Sequence, residues 1–189
     1  DGDDVNEYTL STGFDVSTAS FVDSFSIAAQ ETIPEGIAFN TDGTKMFITG
    51  GTGIDVNEYT LSTGFDVSTA SFVDSFSVSA QISSPNGIAF NADGTKMFIV
   101  DRVGQDVNEY TLSTGFDVST ASFVDSFSVA GQDTQPYGLA LSADGTKMFV
   151  TGNANDSIYK YTLSTGFDVS TALFVGSFSV AAQETSPFG

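Results

Sequence analysis

The 189-residue chain contains no cysteine, no histidine and no tryptophan, and only five cationic side chains stand against 24 acids. Without Cys there are no disulfides, thiolate metal sites or cysteine nucleophiles, and the redox compartment is left open. Without His there is no imidazole base, no Ser-His-Asp triad and none of the usual zinc or copper ligand sets. The formal charge of -19 repels phosphate backbones and anionic lipid surfaces, which argues against nucleic acid as a partner. No apolar run approaches the roughly 20 residues of a membrane helix, so membrane insertion is not expected.

What is present is repetition. FDVSTASFVDSFS stands unchanged at Phe14–Ser26, Phe65–Ser77 and Phe116–Ser128, and alignment at a spacing of 51 residues also superposes Pro34, Pro85, Pro136 and Pro187. Hydrophobic residues make up 40%, including 18 Phe, which is enough for a core. Each unit reads as four β segments with almost no helical period. Segment A is Gly36–Asn40, B is Thr44–Thr49, C is Val5–Leu10 and D is Ser20–Ile27. Asp42-Gly43 between A and B reads as a hairpin turn, because Gly accepts positive φ and Asp can bond the turn backbone. In segment D, Phe21, Asp23, Phe25 and Ile27 alternate with Val22, Ser24 and Ser26, placing the first set on one face. Between C and D, Gly13 is read as the turn residue, Phe14 as a hydrophobic plug and Asp15 as an acceptor for the following amides.

Repeated four-stranded antiparallel units with both sheet faces partly apolar predict an all-β chain, a β-propeller whose blades pack between neighbours. The boundaries are a half-blade (segments C and D) at 1–33, blades at 34–84, 85–135 and 136–186, and the start of a further blade at 187–189. The sequence therefore holds three complete blades and a half-blade, and is expected to be part of a larger or closed ring. The run PEGIAFNTDGTKMFITG, followed by VNEYTLST, resembles bacterial propeller repeats of the YVTN and NHL-like class. That resemblance extends to PNGIAFNADGTKMFIV at Pro85 and PYGLALSADGTKMFV at Pro136, and it speaks to fold more than to function. It also implies an enzymatic alternative, since lactonases and gluconolactonase-like hydrolases share such folds.

The turns joining A to B and C to D hardly vary between copies, whereas the B–C and D–A loops diverge. The divergent loops fall on one face, at the mouth of the central channel, which makes that face the candidate binding surface. Its residues are Glu35, Asn86, Tyr137 and Phe188, each following a Pro, together with Asp101, Arg102, Asn153, Asn155 and Asp156. The last copy departs further, with Tyr159, Lys160, Leu173 and Gly176 where the others carry Asn, Glu, Ser and Asp. Calcium is the one cofactor with any pattern behind it, at Asp4 and Asn6 and at Asn40 and Asp42, but the EF-hand spacing fails at both. The expectation is thus a non-catalytic binding or scaffold module, outside the cell or on its surface, for a protein or glycan partner. A self-associating structural subunit and a metal-dependent lactonase are the alternatives.

Overall fold

The computed structural model describes residues 2–188. It is an all-β propeller-like array of three four-stranded antiparallel sheets and one two-stranded sheet. The strands are β1 (Asp4–Leu10), β2 (Ala19–Ser26), β3 (Pro34–Phe39), β4 (Lys45–Gly50), β5 (Asp55–Leu61), β6 (Ala70–Ser77) and β7 (Pro85–Phe90). They continue with β8 (Lys96–Asp101), β9 (Asp106–Leu112), β10 (Ala121–Ser128), β11 (Pro136–Leu141), β12 (Lys147–Gly152), β13 (Ser157–Leu163) and β14 (Ala172–Ser179). Strands of each sheet follow one another in chain order, β3 to β6, β7 to β10 and β11 to β14, while β1 pairs β2. The first strands of the full sheets are innermost: β3 packs on β7 and β7 on β11.

The A–B turn forms as its residues dictate. Gly43, Gly94 and Gly145 take φ of 72°, 71° and 68°, and Asp42 Oδ1 accepts from the Thr44 amide at 3.0 Å and its hydroxyl at 2.6 Å. Asn40 and Thr44 belong to this turn rather than to the strands, so segment A ends at Phe39 and B starts at Lys45, while A also begins earlier, at Pro34.

The C–D connection differs from expectation at one residue. Asp15 does cap a short 3₁₀ turn (Val16–Thr18), accepting from the Ser17 amide at 3.0 Å. The left-handed position, however, is the phenylalanine: Phe14, Phe65, Phe116 and Phe167 have φ of 63°, 63°, 58° and 60°. The ring of Phe65 lies over Gly43 and its amide donates to the Gly43 carbonyl at 3.0 Å, which holds the strained conformation in place. The preceding glycine supplies room instead, since a Cβ on Gly64 would stand 2.3 Å from the Asp42 carbonyl oxygen.

Segment D also departs from simple alternation. Phe21 lies opposite Tyr8 and Asp23 opposite Glu7, so Val22 is a bulge, and the same shift recurs in β6, β10 and β14. Beyond a bulge the phase reverses, which puts Phe21 and Phe25 on opposite faces. Each blade thereby offers a phenylalanine to both sides. Tyr59 meets Phe72 of its own sheet (ring centroids 5.7 Å apart) and Phe25 of the preceding one (5.8 Å). Phe76 and Phe127 reach Tyr110 and Tyr161 in the same way.

A polar clasp reinforces the second and third of these contacts. Glu58 pairs with Lys45 at 2.6 Å and accepts from the Val118 amide of the next blade at 3.0 Å, while Lys45 Nζ also donates to the Phe116 carbonyl at 2.6 Å. Lys96, Glu109, Val169 and Phe167 repeat the arrangement.

Candidate functional site

The loops knit into two faces as their order requires. On one, the A–B turns bond the C–D connections. On the other, Gly51 donates to the Ile33 carbonyl, Arg102 to Ser84 and Asn153 to Gln135, joining each B–C loop to a D–A loop.

A buried carboxylate organises every such junction, and its source alternates. In the first, Glu31 accepts from the amides of Ile33 (2.6 Å) and Thr52 (3.1 Å). In the third, Asp133 accepts from Gln135 (2.7 Å), Ala154 (3.2 Å), Asn155 (3.1 Å) and the Tyr159 hydroxyl (3.0 Å). In the second, the D–A loop carries Ile82 instead, and the acid comes from the opposite strand: Asp101 accepts from Ser83 (2.8 Å), Ser84 (3.0 Å) and Val103 (3.0 Å). The strand position facing Glu31 and Asp133 is glycine, where a Cβ would stand 2.2 Å from the Glu31 carboxyl (Gly50) or 2.3 Å from that of Asp133 (Gly152). One carboxylate fits between the two segments, and it comes from the D–A loop in two junctions and from the strand in the other. Sequence reading missed Glu31 and Asp133, although the aligned columns Glu31/Ile82/Asp133 and Gly50/Asp101/Gly152 carry the exchange.

The charge collected here perturbs its neighbours. Burial raises the carboxyls of Asp55 and Asp106, against the opposing bonds from Asn57 (2.8 Å) and Asn108 (2.7 Å), and the nearby Glu31 and Asp101 add to the rise. Burial, then Asp55 and Glu31, pushes the Tyr59 phenol to about 12. The Asp-Val-Asn motif thus spends its Asn as a donor to its own Asp. In the A–B turn, likewise, Asp42 is committed to Thr44.

The nine candidate residues divide into two groups. Asp101 is the buried acceptor just described, and Asn153 and Asn155 brace the third junction by donating to Gln135 Oε1 (2.9 Å) and the Gln132 carbonyl (3.0 Å). Asp156 occupies the left-handed corner of that loop, φ 46°. The structure brings the other five together at the inner strands. Asn86 donates to Glu35 at 3.1 Å, Arg102 donates to the Tyr137 hydroxyl at 3.2 Å with its guanidinium 5.6 Å from the ring centre, and Tyr137 meets Phe188 edge-on at 4.9 Å. Asn86 is 1% exposed, and its Oδ1 has no partner among the described residues. Glu35, Ile37, Gly87, Ile88, Tyr137, Leu139 and Phe188 line a hollow of about 360 Å³. The hollow offers the Glu35 carboxylate and an aromatic wall, while Asn86 and Arg102 bond Glu35 and Tyr137 from outside its lining. Among the described residues, no cluster of three or more acids is placed to hold a metal ion.

No protein-family model matches the chain, and no curated protein matches it either. Solved structures do match in fold. A putative 6-phosphogluconolactonase from Bacteroides fragilis superposes with a TM-score of 0.61 at 14% identity, over 94% of this chain and 49% of that one. The periplasmic gluconolactonase PpgL of Pseudomonas aeruginosa gives 0.53 at 19% identity, over 82% and 42%. The Cps50 (Swd1) β-propeller domain of Myceliophteria thermophila gives 0.51 at 10% identity, over 78% and 43%. The chain spans about half the length of these structures or less, and the likeness is one of propeller fold.

Proposed function

We propose that the chain is a β-propeller binding module and that its ligand is a saccharide held at the channel mouth by Glu35, Asn86, Arg102, Tyr137 and Phe188. The observation that carries this reading is the hollow at the inner strands, where the Glu35 carboxylate, held by the Asn86 amide, faces a wall of the edge-on Tyr137–Phe188 pair. A carboxylate acceptor in such a hollow favours a ligand that donates hydrogen bonds. Sugar hydroxyls donate, the C–H face of the ring suits the Tyr137–Phe188 wall, and Arg102 answers a ring or glycosidic oxygen. The hollow is within the range that holds small ligands. Placement outside the cell or on its surface, and membership of the YVTN and NHL-like class, belong to the same proposal and rest on composition and repeat text. Titration calorimetry against a panel of neutral mono- and oligosaccharides tests it. At least one should bind, and Asn86→Ala or Tyr137→Ala should weaken it about ten-fold or more. Failure of the whole panel to bind would discard the reading.

Lactone hydrolysis is the second reading, favoured by the names of the fold relatives from Bacteroides fragilis and Pseudomonas aeruginosa. Hydrolysis of gluconolactone above the buffer rate, abolished by Glu35→Gln, would put it first.

A further inference from the structure

β2, β6, β10 and β14 are the outermost strands of their sheets, and each has an open outer edge. Three of them read ASFVDSFS, whereas β14 reads ALFVGSFS. The difference falls on the edge itself. Val78 N donates inward to the Ile54 carbonyl at 3.0 Å, so alternation along β6 turns the N–H and C=O of Ser75 outward. The matching bonds from Ile27, Val129 and Val180 set Ser24, Ser126 and Ser177 outward on their own strands. In β2, β6 and β10 the preceding aspartate plugs that outward amide: Asp23, Asp74 and Asp125 each accept from the next serine N–H at 2.8 Å. The edge amide is occupied and a negative charge stands beside it, which deters a further strand. In β14 this place is Gly176, so the Ser177 amide has no such acceptor.

Crowding does not explain the glycine, since a Cβ on Gly176 would meet nothing within 4 Å. A glycine inside a strand weakens it and often marks the close approach of another backbone. On the same strand Leu173, which replaces the serine of the other copies, is 69% exposed, and Val175 is 53% exposed. Neither exposure depends on what lies beyond the last sheet. Ser71, Ser122, Val73 and Val124 are exposed at the matching positions of sheets that have a neighbour on both sides.

We infer that β14 is a homodimer interface, where the same strand of a second copy pairs antiparallel across a two-fold axis at Ser177. Residues facing each other there exchange both backbone bonds: each Ser177 N–H donates to the Ser177 carbonyl of the other copy, which fills the amide that Gly176 leaves free. Charge selects the occupant. β14 carries no ionised side chain, so two copies of it meet without opposing like charges. Pairing with β2, β6 or β10 would instead bring in an aspartate and an amide already plugged. The contact is isologous and closes at two copies. It uses an outermost strand, whereas the Glu35 hollow lies at the innermost ones, so it stands apart from the saccharide reading.

The experiment is light scattering and sedimentation of the full chain over a range of concentrations, beside Gly176→Asp and Leu173→Ser, each of which installs the residue that the other blades carry. Concentration-dependent dimers are expected, weak as suits a one-strand contact. They should strengthen with salt, which screens the repulsion between two chains of charge -19. Gly176→Asp should raise the dimer dissociation constant about ten-fold or more, and Leu173→Ser by a smaller factor. Hydrogen exchange under dimer-forming conditions should protect the Ser177 amide and leave those of Ser75 and Ser126 unchanged. A chain that stays monomeric at every concentration and salt overturns the inference. Dimers that both variants leave intact, or assembly beyond dimers that Gly176→Asp fails to disperse, overturn it as well.

Discussion

Three backbone amides depend on Asp101, and Asp101→Gly leaves those of Ser83, Ser84 and Val103 without their acceptor. At about 1 kcal/mol per bond, the loss should be about 2–3 kcal/mol, read as a lower urea midpoint at constant slope. Adding Ile82→Glu should restore most of it, because the junction then matches the Glu31–Gly50 arrangement. A double variant no more stable than the single one would refute the exchange. The core tyrosines make a second comparison. Tyr161 OH donates to Gln132 at 3.2 Å, whereas the buried Tyr110 OH has no partner among the described residues. Tyr161→Phe should therefore cost about 1 kcal/mol, while Tyr110→Phe should be neutral or stabilising by a similar amount, both in the same urea assay. At this scale the sequence was legible where a side chain acts on its own turn, as Asp15 and Asp42 do. It was not where the partner lies in another loop, as for Glu31 and Asp133.

Strands show the same division. The four segments of each repeat, their order and the two loop faces could be read from periodicity and turn residues, because those signals are local. The bulge at Val22 and the left-handed Phe14 could not, since alternation offers no mark of an inserted residue and positive φ at Phe is imposed by the neighbouring turn. The clasp, too, is invisible locally: Lys96 and Glu109 meet only once β8 and β9 pair, and their third partner comes from the next sheet. Lys96→Met would leave Glu109, 1% exposed, as an uncompensated charge. The expected cost at pH 7 is about 3 kcal/mol, the lower end for broken buried pairs because Lys96 is 31% exposed. Hydrogen exchange should show faster opening in β13 and β14 than in β5 and β6. Uniform acceleration across all sheets would mean that the clasp does not act between blades.

For the whole molecule, acidity sets the response to pH. Bonds from Thr44 and Thr95 hold the carboxyls of Asp42 and Asp93 below 3.8, and those from Ser142 and Thr146 hold that of Asp144 at about 2. Their contribution is present above 3.8 and is lost as the pH falls through these lowered values. Asp55 and Asp106 act in the opposite sense: their raised carboxyls make the ionised form costly, so acidification through them is stabilising. It also reduces the self-repulsion of a -19 chain. The thermal midpoint should accordingly rise from pH 7 to about pH 5 and decline below about pH 4, as followed by circular dichroism. A steady fall from pH 7 would contradict this balance. The alternating carboxylates bear on folding as well. Three blades with nearly the same text invite a slip of one whole repeat, in which a hairpin docks behind the wrong linker. Docking β7 and β8 behind the Glu31 linker would bury two acids in a space for one, and docking β3 and β4 behind the Ile82 linker would bury none. A hydrophobic core that cannot tell adjacent repeats apart is thus given a parity check, a single negative charge per junction, that any slip of one repeat violates.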